Sequence, residues 1–167
     1  NLELLGKALQ RDPGNAYNHF QMGQSHFVLG DIDAAIACYE TGMRLLDSTE
    51  KLYVPELIMS LAKAYCEKRR QSDALALLEE YSGVYHTAKY TYTYANILMD
   101  NGQTIKALML YIKVTTMKDA PTIGEGLIAC YQRIMDIYKA MGNDAMADIF
   151  REKYEQCVEE KKRLVNS

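Results

Sequence analysis

The side chains in this sequence that could perform acid–base or metal chemistry are few and lie far apart. The three histidines, His19, His26 and His86, fall on separate predicted elements, as expected of packed or surface histidines rather than catalysts. No H-E-x-x-H, G-x-S-x-G, P-loop or glycine-rich dinucleotide motif occurs. The acidic pair Asp31 and Asp33 lies in a predicted turn, where helix capping accounts for it. We therefore expect no catalytic residue, no metal and no cofactor in this chain.

The four cysteines are also spaced too widely for a metal site. They are Cys38, Cys66, Cys130 and Cys157. The absence of a C-x-x-C pair argues against zinc and is typical of small buried residues in a reducing compartment. No apolar run approaches a membrane-spanning length of about 18 residues, and the N-terminus has no signal-peptide core. We expect a cytoplasmic protein without a membrane partner.

The composition indicates one α-helical globular domain with no affinity for nucleic acid. The chain has 167 residues, of which 49% are hydrophobic and 25% charged, with only 3 prolines and 10 glycines. So few turn residues disfavour a many-stranded β fold, and the length suits one domain. A net charge of −3 provides no basic footprint for a phosphate backbone. The basic run at 161–163 is interpreted as a solvated helix end, because Glu159 can pair with Arg163 one helical turn away.

The clearest structural unit lies between Ala16 and Asp47. It consists of two amphipathic helices that meet at Gly30-Asp31. Glycine permits the positive φ that ends the first helix, and Asp31 or Asp33 caps the second. The pattern therefore predicts an α-hairpin.

A later stretch, KYTYTYANILMDNG at 89–102, first suggests a β-strand. Its tyrosines and threonines alternate, as they would on the two faces of a strand. We interpret it as a helix, because Asn101-Gly102 ends it and the following ALMLYIKV supplies a packing partner. Tyr90 and Tyr94 then lie on one side of the helix, and Tyr92 points away from them.

The hairpin between Ala16 and Asp47 resembles the tetratricopeptide repeat (TPR), a helical hairpin with a period of about 34 residues. The resemblance rests on Met22-Gly23, Phe27, Gly30, Ala35, Tyr39 and Gly42. More degenerate copies follow, with turns at residues 69, 102 and 142. The resemblance implies one all-α domain over residues 1–167, a right-handed superhelical solenoid of antiparallel helix pairs. Its expected parts are the second helix of a truncated leading repeat (1–15), three repeats (16–49, 53–84 and 88–117), and a repeat with a capping helix (124–167).

In proteins of this family, the first helices of successive repeats line a concave groove that binds a protein or peptide. The resemblance implies that the groove candidates here are Tyr17, Phe20, Gln24, Phe27, Glu56, Met59, Lys63, Lys89, Tyr92, Asn96, Arg133 and Asp136. For Phe20, Phe27 and Met59, packing in the core is the favoured alternative, because such residues at helical spacing are usually buried. The function expected is a non-catalytic interaction scaffold.

The charged and amide candidates are stronger, because such side chains are expected on the surface of a groove and are rarely buried in a core. They are Lys63, Lys89, Asn96 and Arg133. Some TPR proteins grip a partner's C-terminal carboxylate with a clamp of lysine, asparagine and arginine. Neither alignment of this sequence to that clamp completes it, which disfavours binding of that kind.

Two alternatives concern the parent protein and its assembly. The opening residues 1–31 resemble the repeat region that follows the catalytic domain in bacterial family-two glycosyltransferases. That resemblance implies an accessory role in a larger protein, and the start at Asn1 is consistent with a fragment. Self-association is the other alternative, with Leu2, Leu5 and Leu9 of the leading helix as a face for a homodimer.

Overall fold

The structure, a computed structural model, describes residues 2–165, with side chains for residues 2–163. The regular structure of these residues is helical throughout, so the expected all-α fold is confirmed. The helices are α1 (Leu2–Arg11), α2 (Ala16–Val28), α3 (Ile32–Arg44), α4 (Val54–Glu67), α5 (Gln71–Tyr81), α6 (Ala88–Asp100), α7 (Thr104–Thr115), α8 (Glu125–Ala140) and α9 (Asp144–Val165). A short 3-10 helix, Ala120–Ile123, precedes α8. None of these helices is both long enough and apolar enough to cross a bilayer.

The helices form two compact units. Unit 1 comprises residues 1–85 with α1–α5, and unit 2 comprises residues 86–167 with α6–α9. Within each unit, every helix packs on the next one in the chain. Sequential packing of this kind is typical of helical repeats, in which each hairpin mainly contacts its neighbours. The assignment of all 167 residues to a single repeat domain stays a prediction.

All four hairpin turns end the first helix in the same way. In three of them the second residue after the helix is a glycine with positive φ: Gly30, Gly102 and Gly142, with φ angles of 81°, 73° and 72°. The next N–H reaches back to the helix; for example, Asp31 N–H donates to the His26 carbonyl oxygen at 3.0 Å. Asp31 also caps α3 by accepting from Ala34 N–H at 3.2 Å. The turns expected from the glycines are therefore confirmed.

The turn between α4 and α5 has an arginine where the other three have glycine. Arg69 has φ of 58°, and Arg70 N–H donates to the Tyr65 carbonyl oxygen at 2.8 Å. The backbone of Arg69 therefore adopts the left-handed conformation that glycine has in the other turns, although Arg69 carries a Cβ. A left-handed conformation costs an ordinary L-residue roughly 1–2 kcal/mol.

Replacement of Arg69 with glycine is expected to raise the free energy of unfolding by about 1 kcal/mol, because it removes most of this strain. Urea denaturation followed by circular dichroism measures the change. Arg69→Ala is the matched control: it removes the same exposed side chain but keeps a Cβ, so it should give little gain. An Arg69→Gly protein no more stable than Arg69→Ala would contradict the strain argument.

The alternating stretch at 89–102 is helical, as interpreted from its flanking residues. Thr87 caps α6 by accepting from Tyr90 N–H at 3.2 Å. Tyr90 and Thr91 are buried side by side, which a half-buried strand would not allow. Thr91 satisfies its hydroxyl by donating to the Thr87 carbonyl oxygen at 3.0 Å. Packing within unit 2 therefore overrides the low helix propensity of threonine.

The basic run near the C-terminus is part of α9. Arg163 pairs with Glu159 at 3.4 Å, as predicted from their spacing. Lys161 pairs with Glu125 at the start of α8. The run is thus partly engaged in ion pairs within unit 2.

Candidate functional site

The best-defined candidate surface lies on α6 and α8 of unit 2, over the buried side chain of Tyr111. Tyr111 comes from α7 and is 0% exposed. Its hydroxyl donates to Asn96 Oδ1 at 2.7 Å. The ring of Tyr92 lies 6.3 Å from the Tyr111 ring, tilted by 55°. Two of the sequence candidates, Tyr92 and Asn96, are therefore held in place by one rigid core residue.

Arg133 of α8 is the charged candidate that acts electrostatically on the Tyr111 phenol. Burial raises the pKa of the Tyr111 phenol, and the positive charge of Arg133 opposes that rise more strongly than any other group. Arg133 is itself exposed, as are Asp136 on the same helix and Lys89 in the first turn of α6. The unit 2 face is defined here as Lys89, Tyr92, Asn96, Arg133 and Asp136.

The Tyr92 ring of α6 reaches the start of α8 at Gly126. A Cβ built at Gly126 would lie 3.1 Å from Tyr92 Cε1. Even alanine at this position would therefore press on the ring. The glycine at the start of α8 lets Tyr92 lie against that helix, beside the Tyr111 cluster.

The unit 2 face offers a defined set of polar contacts. Asn96 accepts from Tyr111 through its carbonyl oxygen, so its remaining amide donors are the two N–H groups. Arg133 adds a planar, permanently charged donor group. Tyr92 adds an aromatic surface with a hydroxyl. This combination can bind the polar backbone and side chains of a peptide.

The corresponding residues of unit 1 lie on α2 and α4. Tyr17 is 47% exposed, and its ring meets Tyr53 edge-on with a centroid distance of 5.0 Å. Gln24, Phe27 and Glu56 are half-buried, and Lys63 is exposed. The unit 1 face is defined as Tyr17, Gln24, Phe27, Glu56 and Lys63.

Two candidates on these helices lie in the core instead. Phe20 is 3% exposed and stacks on Tyr53 with a ring distance of 5.9 Å. Met59 is 2% exposed. Neither side chain can reach a partner, so both are removed from the candidate set, in agreement with the packing alternative. The repeat position alone did not distinguish an inward-facing residue from a groove residue.

Sequence reasoning missed Tyr53 and Tyr111 as parts of these surfaces. Tyr53 precedes α4, outside the helical positions that the repeat pattern assigns to the groove. Tyr111 lies on a second helix, where the pattern assigns only packing. Tyr111 could have been suggested as the partner of Asn96, because a buried tyrosine hydroxyl usually forms a hydrogen bond with a polar group.

Many charged side chains outside these faces are paired with each other. Lys68 binds Asp33 at 2.9 Å, and Arg70 binds Asp73 at 2.6 Å while its guanidinium lies 4.2 Å from the centre of the Tyr65 ring. By contrast, Lys63 and Arg133 form no ion pair within the described part of the chain. Over the same residues, no group of three or more histidine, cysteine or acidic side chains is arranged to hold a metal.

Comparison with known proteins yields structural relatives. No protein-family model matches the sequence, and no curated protein matches it. A crystal structure of MamA is 21% identical, with a TM-score of 0.76 over 97% of this chain and 89% of that chain. YrrB, described as a TPR protein with an unusual peptide-binding site, is 16% identical, with a TM-score of 0.69 over 93% and 75%.

A further match is a Podosopora anserina chain described as a kinesin light chain with nearly identical TPR-like repeats. It is 16% identical, with a TM-score of 0.71 over 97% of this chain and 87% of that chain. Identities this low establish the fold and no more. The helical hairpins, their turns and these structural matches together show that the chain has the TPR fold.

Proposed function

We propose that this chain is a non-catalytic module that binds a protein or peptide segment through the first-helix faces of its repeats. The observation that carries the proposal is the unit 2 face, where buried Tyr111 holds Tyr92 and Asn96 in place and the same unit presents the exposed Arg133. A surface held from beneath by the core loses little conformational freedom on binding. The unit 1 face is proposed as a second contact area for the same kind of partner.

The chemistry of the two faces favours a polypeptide partner. They combine tyrosines, an asparagine, a glutamine and both signs of charge, the mixture that protein interfaces use. A net charge of −3 does not suit a nucleic acid. The structural likeness to YrrB, a TPR protein with a peptide-binding site, supports the same class of ligand.

The test is selection from a random peptide library displayed on phage, with the 167-residue chain as bait. Enriched peptides are then measured by fluorescence polarisation against the wild-type protein and Arg133→Glu. We expect Arg133→Glu to weaken binding about tenfold or more, because it removes a donor cation and introduces repulsion. Lys89→Glu should weaken binding less, because Lys89 is outside the Tyr111 cluster.

Lys106→Glu is the matched control. Lys106 is exposed on α7 of the same unit and lies outside the face, so the same charge change there should leave peptide affinity within about twofold. Peptides that bind Arg133→Glu and wild type equally would overturn the assignment of the face. A library that yields no binding peptide would overturn the peptide-binding proposal.

Three finer assignments remain predictions. They are the origin of the chain in a bacterial family-two glycosyltransferase, its cytoplasmic location, and the single domain over 1–167. The first requires that the native gene also encode a nucleotide-sugar domain. The intact mass of the native gene product distinguishes such a protein from a chain near 19 kDa.

A further inference from the structure

Helix α7 carries an exposed apolar stripe on a side that its neighbours in unit 2, α6 and α8, leave uncovered. Ile105 is 56% exposed and Met109 is 66% exposed. Ile112, which is half-buried, follows one turn later. The three residues are spaced i, i+4 and i+7, so they lie along one side of the helix. We call them the α7 stripe.

The repeat itself does not require the α7 stripe. Its members are the third, seventh and tenth residues after Gly102, the residue with positive φ in the turn before α7. Counted in the same way from the other three turns, these positions are Asp33, Ala37 and Glu40 on α3, Ser72, Ala76 and Glu79 on α5, and Ala145, Ile149 and Glu152 on α9. Each of those helices has glutamate at the last position, as is usual on the solvent side of a helix. The large apolar residues at all three positions are therefore a particular feature of α7.

The first of these positions forms an ion pair in unit 1 that has no counterpart in unit 2. Asp33 binds Lys68, which immediately precedes the turn residue Arg69, at 2.9 Å. The corresponding residues of unit 2 are Ile105 and Met141, and Met141 is 55% exposed. Two charged side chains are thus replaced by two exposed apolar ones. An exposed apolar surface of this kind marks a site that a partner covers.

The charge beside the α7 stripe is positive. Lys106 and Lys113 are both exposed, and neither forms an ion pair within the part of the chain that the structure describes. They lie seven residues apart on one flank of the stripe, a separation of about 10 Å along the helix axis. Helix α7 itself contains no acidic residue. These two cations complement a partner that carries carboxylates at the same spacing.

We propose that the α7 stripe is a docking surface for an acidic amphipathic helix of another protein. A helix fits because the three apolar residues form a straight ridge, on which a second helix packs as α6 and α8 pack on the other sides of α7. Carboxylates about two turns apart on that helix pair with Lys106 and Lys113. The flexible side chain of Met109 adapts to the apolar residues of the partner. An anionic lipid surface is disfavoured by the net charge of −3.

The test uses two designed peptides labelled with fluorescein. Both are alanine-rich and about 20 residues long, so that they are helical in water. Both carry leucines at i, i+4 and i+7; the acidic peptide has glutamates seven residues apart beside them, and the basic peptide has lysines at the same places. Fluorescence polarisation measures the binding of each peptide to the 167-residue chain. The acidic peptide is expected to bind about tenfold or more tightly than the basic one.

Substitutions on α7 test the two parts of the surface separately. Met109→Glu should weaken binding of the acidic peptide about tenfold or more, because it places a carboxylate in the apolar contact. The double variant Lys106→Glu and Lys113→Glu should reverse the preference, so that the basic peptide binds more tightly than the acidic one. All three side chains are exposed, and circular dichroism confirms that the variants are folded.

Two matched controls make the same changes elsewhere. Leu52 is 95% exposed in unit 1, and Leu52→Glu should leave the affinity of the acidic peptide within about twofold. Lys162 is exposed on α9 of unit 2, and Lys162→Glu should do the same.

Four results would overturn the proposal. They are a chain that binds neither peptide, equal binding of the two peptides, a double variant that still prefers the acidic peptide, and a Met109→Glu variant that binds as wild type does. If the chain bound phosphatidylserine vesicles through Met109 and bound neither peptide, the surface would be assigned to a membrane instead. The proposal is independent of the unit 2 face, because Arg133→Glu should not affect the acidic peptide. Failure of either proposal leaves the other intact.

Discussion

Replacement of Tyr111 with alanine is expected to lower the free energy of unfolding by about 3–5 kcal/mol, the range for removal of a fully buried aromatic ring. Tyr111 is 0% exposed and lies at the centre of unit 2, so the surrounding helices cannot collapse fully into the space it leaves. Peptide binding should fall as well, because Tyr111 holds Asn96 and Tyr92 in position. Urea denaturation measures the first effect and fluorescence polarisation the second.

Tyr111→Phe distinguishes the contribution of the ring from that of the hydroxyl, because it removes only the hydroxyl. The ring still fills the core, and only the 2.7 Å hydrogen bond to Asn96 Oδ1 is lost, so the stability cost should be about 1 kcal/mol. Asn96 is then free to rotate, and binding of the selected peptides should weaken even though the fold is retained. If Tyr111→Phe bound peptides as wild type does, the positioning role of Tyr111 would be refuted while its packing role stood.

The helical hairpins could be predicted because their signals are local. Gly30, Gly102 and Gly142 each follow an amphipathic segment, and glycine is the residue for which positive φ carries no steric cost. Arg69 gave no such local signal. Its turn was placed by the spacing of the repeat, and the structure shows that Arg69 adopts the same left-handed conformation although it carries a Cβ.

The candidate surfaces could be predicted only in part, because exposure depends on neighbours that the repeat pattern does not specify. Phe20 and Tyr17 both occupy groove positions of one helix, yet Phe20 is 3% exposed and Tyr17 is 47% exposed. Phe20 has the rings of both Tyr39 and Tyr53 within about 6 Å, whereas Tyr17 has an edge-to-face contact with Tyr53. Tyr53 is the residue immediately before α4, outside the helical positions to which the repeat pattern assigns groove contacts.

Alanine in a helix is usually more stabilising than glycine, but at position 23 we expect glycine to be the more stabilising residue. A Cβ there would lie 2.5 Å from Cδ1 and Cε1 of Tyr39 and 3.2 Å from the Ala35 carbonyl oxygen. Tyr39 is 2% exposed and cannot move aside without disturbing the core of unit 1. Overpacking costs roughly 1–3 kcal/mol and outweighs the helix-propensity gain of about 1 kcal/mol. Gly23→Ala is therefore expected to destabilise the protein by up to about 2 kcal/mol.

Gly6→Ala provides the matched comparison, because it is the same substitution in a helix without the close contact. No atom lies within 4 Å of a Cβ built at Gly6 in α1. The substitution should stabilise the protein by about 0.5–1 kcal/mol through helix propensity alone. Opposite signs for the two variants in urea denaturation would show that close approach of α2 and α3, rather than turn geometry, requires glycine at position 23. If both variants were stabilised, Tyr39 would have room to move, and the tight packing of this hairpin would be disproved.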